Sequence, residues 1–250
     1  MKAPLAVLAA ILVLVAPASA ATKNPCNGPE AKHLLCPDLR IGPPSEMYVS
    51  GYGSRTLLHA TSDVRSRGRG PMELRGIRDG PKKMRVTQRI YKVGGGHIEL
   101  RTHASLHFTD VGEYFGGSYW KVHQLARFTL RRVLSGGGLG PVLRTSPKLN
   151  YCLRDLERTR PGVHSPLDPH YPGCNQDPHI QRDVLGTSVG WSDIYPADYD
   201  KQWIDVSGLR GCFVFQMTVD PKHLLFESDE HDNSSHRRVR LPYDGSGCSS

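Results

Sequence analysis

Residues 186–207 read GTSVGWSDIYPADYDKQWIDVS, with Trp191, Tyr195, Tyr199 and Trp203 recurring every four residues. That spacing alone fits one face of a helix. Pro196 argues against it, because the residue before a proline is biased away from the α region, and Gly190 and Gly208 punctuate a segment rich in acids. The stretch is therefore predicted to form two short extended pieces joined by a turn over 196–200.

The same grammar runs outward from it. Alternating runs bounded by Gly, Pro, Asp and Ser predict strands at 84–93, 97–108, 119–134, 142–153, 202–206, 212–219 and 236–241. In 212–219, Phe213, Phe215, Met217 and Val219 fall on one face, which predicts the buried side; Asp220-Pro221 ends the ladder. Helical periodicity is scarce. The fold class expected is mostly β, a single β-sandwich domain over about 34–242 with long loops and disulfides, a preceding arm at 21–33 and a flexible tail at 243–250.

Met1 and Lys2, an apolar run from Ala3 to Val15, then Pro17 and Ala18-Ser19-Ala20 have the layout of a secretory signal peptide over 1–20. An exported chain with no membrane span is expected. All six cysteines follow that segment, so they are expected as disulfides; a local Cys26–Cys36 bridge is plausible, and sequence leaves the other pairings open. No CxxC spacing supports a metal cluster.

Of the 32 basic residues Lys2 would leave with the signal peptide, so 31 stand against 24 acidic ones and the net charge is +7. The basic residues concentrate over 65–89 and the acidic ones over 227–232. That pattern is a solvated surface or an attraction for acidic polymers and acidic proteins. Nucleic acid is not expected, because stacking aromatics are not interleaved with the basic residues.

Twelve histidines invite a metal, yet no His-x-His occurs. His103 and His107 share a strand face but lie roughly 13 Å apart along an ideal strand, too far to hold one ion without a turn between them. In 119–123, Tyr119, Lys121 and His123 share a face whose plain reading is an ordinary polar strand face. Ser188 sits centrally in GTSVG without the strand and helix of a nucleophile elbow. The run Asp229-Glu230-His231-Asp232-Asn233 is either an exposed acidic turn or a hard-cation ligand set such as calcium takes, and Asn233-Ser234-Ser235 is a glycosylation sequon.

Several separated stretches resemble one family in order. They are LLCPDLR (34–40), GPMELRG (70–76), SPKLNYCLRD (146–155), GWSDIY (190–195), QWIDV (202–206), Asp220-Pro221 and Glu227-Ser228-Asp229. Their arrangement is similar to lysyl oxidase domains, in the compact single-domain form found in microbes, over roughly 34–241. The resemblance implies oxidative deamination of the ε-amine of peptidyl lysine, with copper and a quinone built from the protein's own lysine and tyrosine. By motif position Lys148 matches the lysine and Tyr195 the tyrosine. The resemblance departs at the copper ligands. Where the family carries a His-x-His-x-His type cluster before a segment like 125–130, this chain has Tyr119, Trp120, Lys121, Val122 and His123. The expectation is a secreted lysyl-oxidase-like protein that has lost catalysis, with acidic partners. The alternative is an active copper-dependent oxidase of extracellular lysines or amines, its metal held by His123, His107 or His103.

Overall fold

In the computed structural model, which describes residues 23–148, 150–162 and 164–248, strand Gly211–Val219 carries the expected alternation. Phe213, Phe215, Met217 and Val219 are each fully buried. This strand pairs on one side with Ala126–Val133 and on the other with Ser234–Leu241; Leu139–Thr145 extends the sheet to four antiparallel strands.

A second antiparallel sheet runs in the order Arg182–Thr187, Met72–Gly80, Lys83–Lys92, His97–Asp110, Ser118–Val122, with Leu34–Leu35 added to Lys83–Lys92. A third is organised on one long strand, Arg55–Ser66, which pairs with Leu39–Ile41, Ser45–Tyr52, Ser192–Tyr195 and Trp203–Asp205. One core joins them, with Leu58 and Val64 from the third sheet, Leu74, Met84 and Trp120 from the second, and Phe128 and Phe213 from the first. The expectation of a mostly β, disulfide-tied domain is borne out.

Three details differ from the sequence reading. The strand expected over 119–134 breaks at 123–125, where Gln124 takes a positive φ of 58° and hydrogen bonds to Asn150 turn the chain. The strand expected over 142–153 stops at Thr145; beyond it Tyr151 only bridges Val122. Arg55–Ser66, Ser45–Tyr52, Met72–Gly80 and Arg182–Thr187 were not expected, because charged and small residues on their outer faces mask the apolar alternation. In Arg55–Ser66 polar residues fall on both faces: Thr56 is exposed on the face that fully buries Leu58, Ala60 and Val64, and Thr61 is buried on the other beside Leu57.

The cysteines pair as Cys26–Cys36, the local bridge expected, Cys152–Cys174 and Cys212–Cys248. The last ties the C-terminal segment to the first sheet. The expected signal peptide lies outside the described residues. No helix among the described residues is long and apolar enough to cross a membrane.

Candidate functional site: a tyrosine cage around two amines

The opening stretch folds as its proline implies. Ser192–Tyr195 lies against one half of Arg55–Ser66, in the register Tyr195 to Ser62, and Trp203–Asp205 lies against the other half, in the register Trp203 to His59. Between them the Tyr199 amide donates to Pro196 O at 3.0 Å and the Gln202 amide to Tyr199 O at 3.2 Å, which closes the turn. Tyr195 and Tyr199 thereby meet on the inner side, with ring centroids 4.9 Å apart and planes at 76°.

Tyr151 comes from the segment after Thr145 and meets the Tyr195 ring edge-on at 4.6 Å. The Cys152 amide donates to Tyr195 Oη at 2.7 Å, which locks the phenol against that segment. Three residues before Tyr151 stands the motif's lysine. Ser146 Oγ accepts from the Lys148 amide at 2.9 Å and donates to Lys201 O at 3.0 Å, so the lysine is turned inward. Its Nζ lies 4.1 Å from the Tyr195 ring centroid, 4.7 Å from Tyr199 and 5.0 Å from Tyr151. Lys148 and Tyr195 are therefore brought together.

A second amine enters from strand Ser118–Val122. Lys121 is 1% exposed, and its Nζ lies 4.7 Å from the Tyr119 ring, 5.4 Å from Tyr199 and 5.8 Å from Tyr195. The plain reading of this face as an ordinary polar strand face is corrected. Tyr119 and Lys121 look into the cage, because the Tyr195–Tyr199 turn covers them.

Two amines buried among ring faces lack the ion pairs that normally support buried charge. No carboxylate among the described residues lies at ion-pair distance from either. Burial accordingly pushes Lys121 down to about 8, with Asp200 partly opposing, and pushes Lys148 well below its ordinary value, with the charge of Lys121 adding to the effect. Burial raises Asp193, which is fully enclosed, to about 7; Arg154, with Nε 3.9 Å from Oδ1, opposes that rise. Burial likewise lifts Tyr119 to about 12 and Tyr195 well above the usual phenol range. The cage thus shifts both amines toward the neutral form, Lys148 by burial and the nearby charge of Lys121, and Lys121 by burial. A cleft of about 450 Å³ lined by Phe115, Tyr119, Arg154, Tyr195 and Tyr199 opens onto the cage from solvent.

The histidines do not join it. His107 and His123 stack on each other, centroids 4.0 Å apart and planes at 4°. Their ring nitrogens face Ser105 Oγ at 3.2 Å and Asn150 Oδ1 at 3.1 Å respectively, and burial lowers both. His103 is exposed on the strand that carries His107. Among the described residues, one group of three or more His, Cys, Asp or Glu side chains has its ligand atoms within 4.8 Å of one another, and it is Asp220, Glu227 and Glu230. A protonated amine has no lone pair to offer an ion, so Tyr119, Lys121 and His123 as placed do not fit a copper ion, which favours imidazole.

That acidic group belongs to a pocket of oxygens. Asp220 accepts from the Leu224 and Leu225 amides at 2.9 and 2.8 Å, and Glu227 accepts from the Leu39 amide and from Asn233 Nδ2. Burial raises Asp220 to about 6 and Glu227 well above the carboxylate range. Asn233 Oδ1, on the side chain that donates to Glu227, is buried with no hydrogen-bond partner, while the neighbouring Asp38 and Asp232 share Arg40 at 3.0 and 2.7 Å. An all-oxygen donor set with an unmet acceptor fits a hard cation. The turn at 229–233 is thus half-buried rather than exposed, and Asn233, 3% exposed and bonded to Glu227, is not presented as a glycosylation acceptor. Ser188 is 4% exposed and donates to Asp155 Oδ2 at 2.7 Å, a structural bond with no histidine in it.

A profile of the lysyl oxidase family matches residues 120–249, the half of the chain that holds most of the cage and most of the acidic pocket. The chain belongs to the lysyl oxidase family. Among curated relatives, lysyl oxidase homolog 4 of Bos taurus is 41% identical over 61 residues, 24% of this chain and 8% of that protein. Protein-lysine 6-oxidase of Sus scrofa is 38% identical over 69 residues, 25% of this chain and 27% of that protein. Lysyl oxidase homolog 3 of Homo sapiens is 25% identical over 168 residues, 65% of this chain and 19% of that protein. This lysyl oxidase family member therefore spans at most about a quarter of the length of these three. Sequence reasoning singled out Tyr195 and Lys148 but left unread the other walls of the cage, Tyr151, Asp193 and the buried Lys121. The Tyr151-Cys152 pair inside the lysine motif was the available signal, since a cysteine held by a disulfide fixes the residues beside it.

Proposed function

We propose that this chain is an exported lysyl-oxidase-like domain that does not assemble a copper centre and does not deaminate lysine. Lys121 carries the proposal. By resemblance it stands where the family places an imidazole ligand, and its amine lies inside the tyrosine cage, sealed from water at 1% exposure. An ammonium there supplies positive charge to the space beside Tyr195 without offering a ligand. Its partners on this reading are acidic polymers or acidic proteins outside the cell, drawn by the basic surface.

The test loads purified protein with copper and measures metal content, quinone staining and amine-dependent peroxide. The expected result is substoichiometric copper with no stain and no peroxide; one copper per chain with peroxide released on amine addition overturns the proposal. The double variant Tyr119→His/Lys121→His rebuilds the histidine trio with His123, and it is expected to retain copper through dialysis where the unaltered chain does not.

A second reading, an active copper-dependent amine oxidase with a displaced histidine site, draws on one observation. Lys148 Nζ lies 4.1 Å from the Tyr195 ring, the contact that a lysine–tyrosine quinone precursor needs, and burial favours the neutral, nucleophilic amine. Such a quinone supplies an electron sink for amine oxidation. On this reading His107 and His123 hold the metal, and replacing either with alanine removes copper that the unaltered chain binds.

A further inference from the structure

The basic run over 65–70, Arg65-Ser66-Arg67-Gly68-Arg69-Gly70, has no part in the cage, and the fold gives it a specific shape. The Arg67 amide donates to Asp38 O at 2.8 Å and the Arg69 amide to Cys36 O at 2.9 Å, which pins the run against the arm held by Cys26–Cys36. Opposite it stands the loop that begins at Arg160, whose amide donates to Gly190 O at 2.8 Å, while the Gly190 amide donates to Ser66 O at 2.9 Å. Gly190 is required there: its φ is +81°, and a Cβ would fall 2.3 Å from Arg160 O. The far wall is braced by Arg158, which donates to Ser165 Oγ and O, both at 3.0 Å.

Between these walls lies a pocket of about 240 Å³ lined by Arg67, Arg69, Arg160 and His164, and among the described residues no acidic side chain lines it. Among the described residues none of these four forms an ion pair. Asp63, the acid that acts on Arg67, is bound to Arg65 at 2.6 Å. Arg67 donates through Nη2 to Thr159 Oγ1 at 3.2 Å, and its Nη1 is buried without any partner. An unmet buried donor on a guanidinium is costly, and burial together with the charge of Arg65 pushes this group below its ordinary value.

We propose that this pocket binds a tetrahedral oxyanion, the head of a sulfate or phosphate ester, with the half-buried Arg67 as the anchor and Arg69 and Arg160 as its outer clamps. Guanidinium forks match the several acceptor oxygens of such a group better than a lysine point charge does. The organic remainder of the ester has a place to lie. A larger groove of about 570 Å³ adjoins the pocket, shares Arg69, His164 and Val189 with it, and carries Lys92 and His170. This locates the attraction for acidic polymers in a built site and does not depend on whether the cage is catalytic, because the pocket and the cage cleft share no lining residue.

Titration calorimetry with sodium sulfate and sodium phosphate, against sodium chloride at matched ionic strength, tests it. One saturable site per chain is expected. In Arg69→Ser/Arg160→Ser, where both side chains are exposed, affinity falls about tenfold or more while the unfolding midpoint in chloride is unchanged. Arg67→Met abolishes binding. A comparison of 4-nitrophenyl sulfate with 4-nitrophenyl phosphate identifies the source, and a preference for either upholds the site. Absence of saturable binding, or a double variant that binds as the unaltered chain does, overturns the proposal.

Discussion

The tyrosine cage and the acidic pocket bury charge of opposite sign, and they meet its cost by different means. In the cage, Lys121 and Lys148 lie on the faces of four tyrosines, and their amines shed affinity for the proton. In the pocket, among the described residues, Asp220 and Glu227 have amide donors but no cation at ion-pair distance, and Glu230 has only His223 at 2.8 Å. The pocket's carboxyls gain affinity for the proton instead. A buried amine can go neutral and still pack as a hydrocarbon chain, whereas a cluster of carboxyls leaves several oxygens facing one another. The first arrangement offers a metal ion amines and ring faces and the second offers it several oxygens, although most residues of both sit in the half of the chain that matches the family.

The largest effect that could break this contrast is that of calcium. With free calcium at 100 times its dissociation constant the pocket is expected to gain about 2.7 kcal/mol, read as a higher midpoint in thermal or denaturant unfolding. EDTA should reverse the gain and Glu227→Gln should abolish it. No calcium effect would reduce the pocket to protonated carboxyls and remove the contrast.

The next effect concerns the cage. Replacing a buried ionisable group by an apolar one of similar length is often neutral or stabilising, so Lys148→Met is expected to stabilise the fold by about 1–3 kcal/mol at pH 7 in urea unfolding. A loss of that size would mean that the amine is anchored rather than tolerated. Tyr195→Phe sharpens the point. It removes the acceptor for the Cys152 amide and should cost about 1–2 kcal/mol, with the same urea midpoint as the readout.

The smallest effects are the pH slopes, at most about 1.4 kcal/mol per unit for each group. Lys121 titrates at about 8 in the folded chain against 10.5 when unfolded. The unfolded chain therefore holds that proton more tightly, and the cage gains stability as pH rises from 8 toward 10.5. Any advantage of Lys121→Met over the unaltered chain should shrink across that range. Asp220 titrates at about 6 against 3.8, so the cost of its burial is full above pH 6 and fades as pH falls toward 4. In EDTA, the balance between Asp220→Asn and the unaltered chain should move against the variant over that interval. Slopes of the opposite sign would mean that the two regions carry their charges the other way round.

Much of this protein is settled by local chemistry. The alternation of Phe213, Phe215, Met217 and Val219 determined a strand and its buried face, and Pro196 determined the turn between Tyr195 and Trp203, because backbone sterics and side-chain period act within a few residues. Motif order paired Lys148 with Tyr195 before any contact between them was known. Tertiary structure decided what local pattern leaves open. Alternation placed Tyr119, Lys121 and His123 on one face, but only the covering turn of Tyr195 and Tyr199 made Lys121 a buried amine, while the break at Gln124 let His123 stack on His107. The arginines after Ser66 read as surface charge until Gly190 brought Arg160 against them. Burial, and with it the protonation and the ligand preference of a charged side chain, depends on what packs across from it, and that partner is distant in the chain.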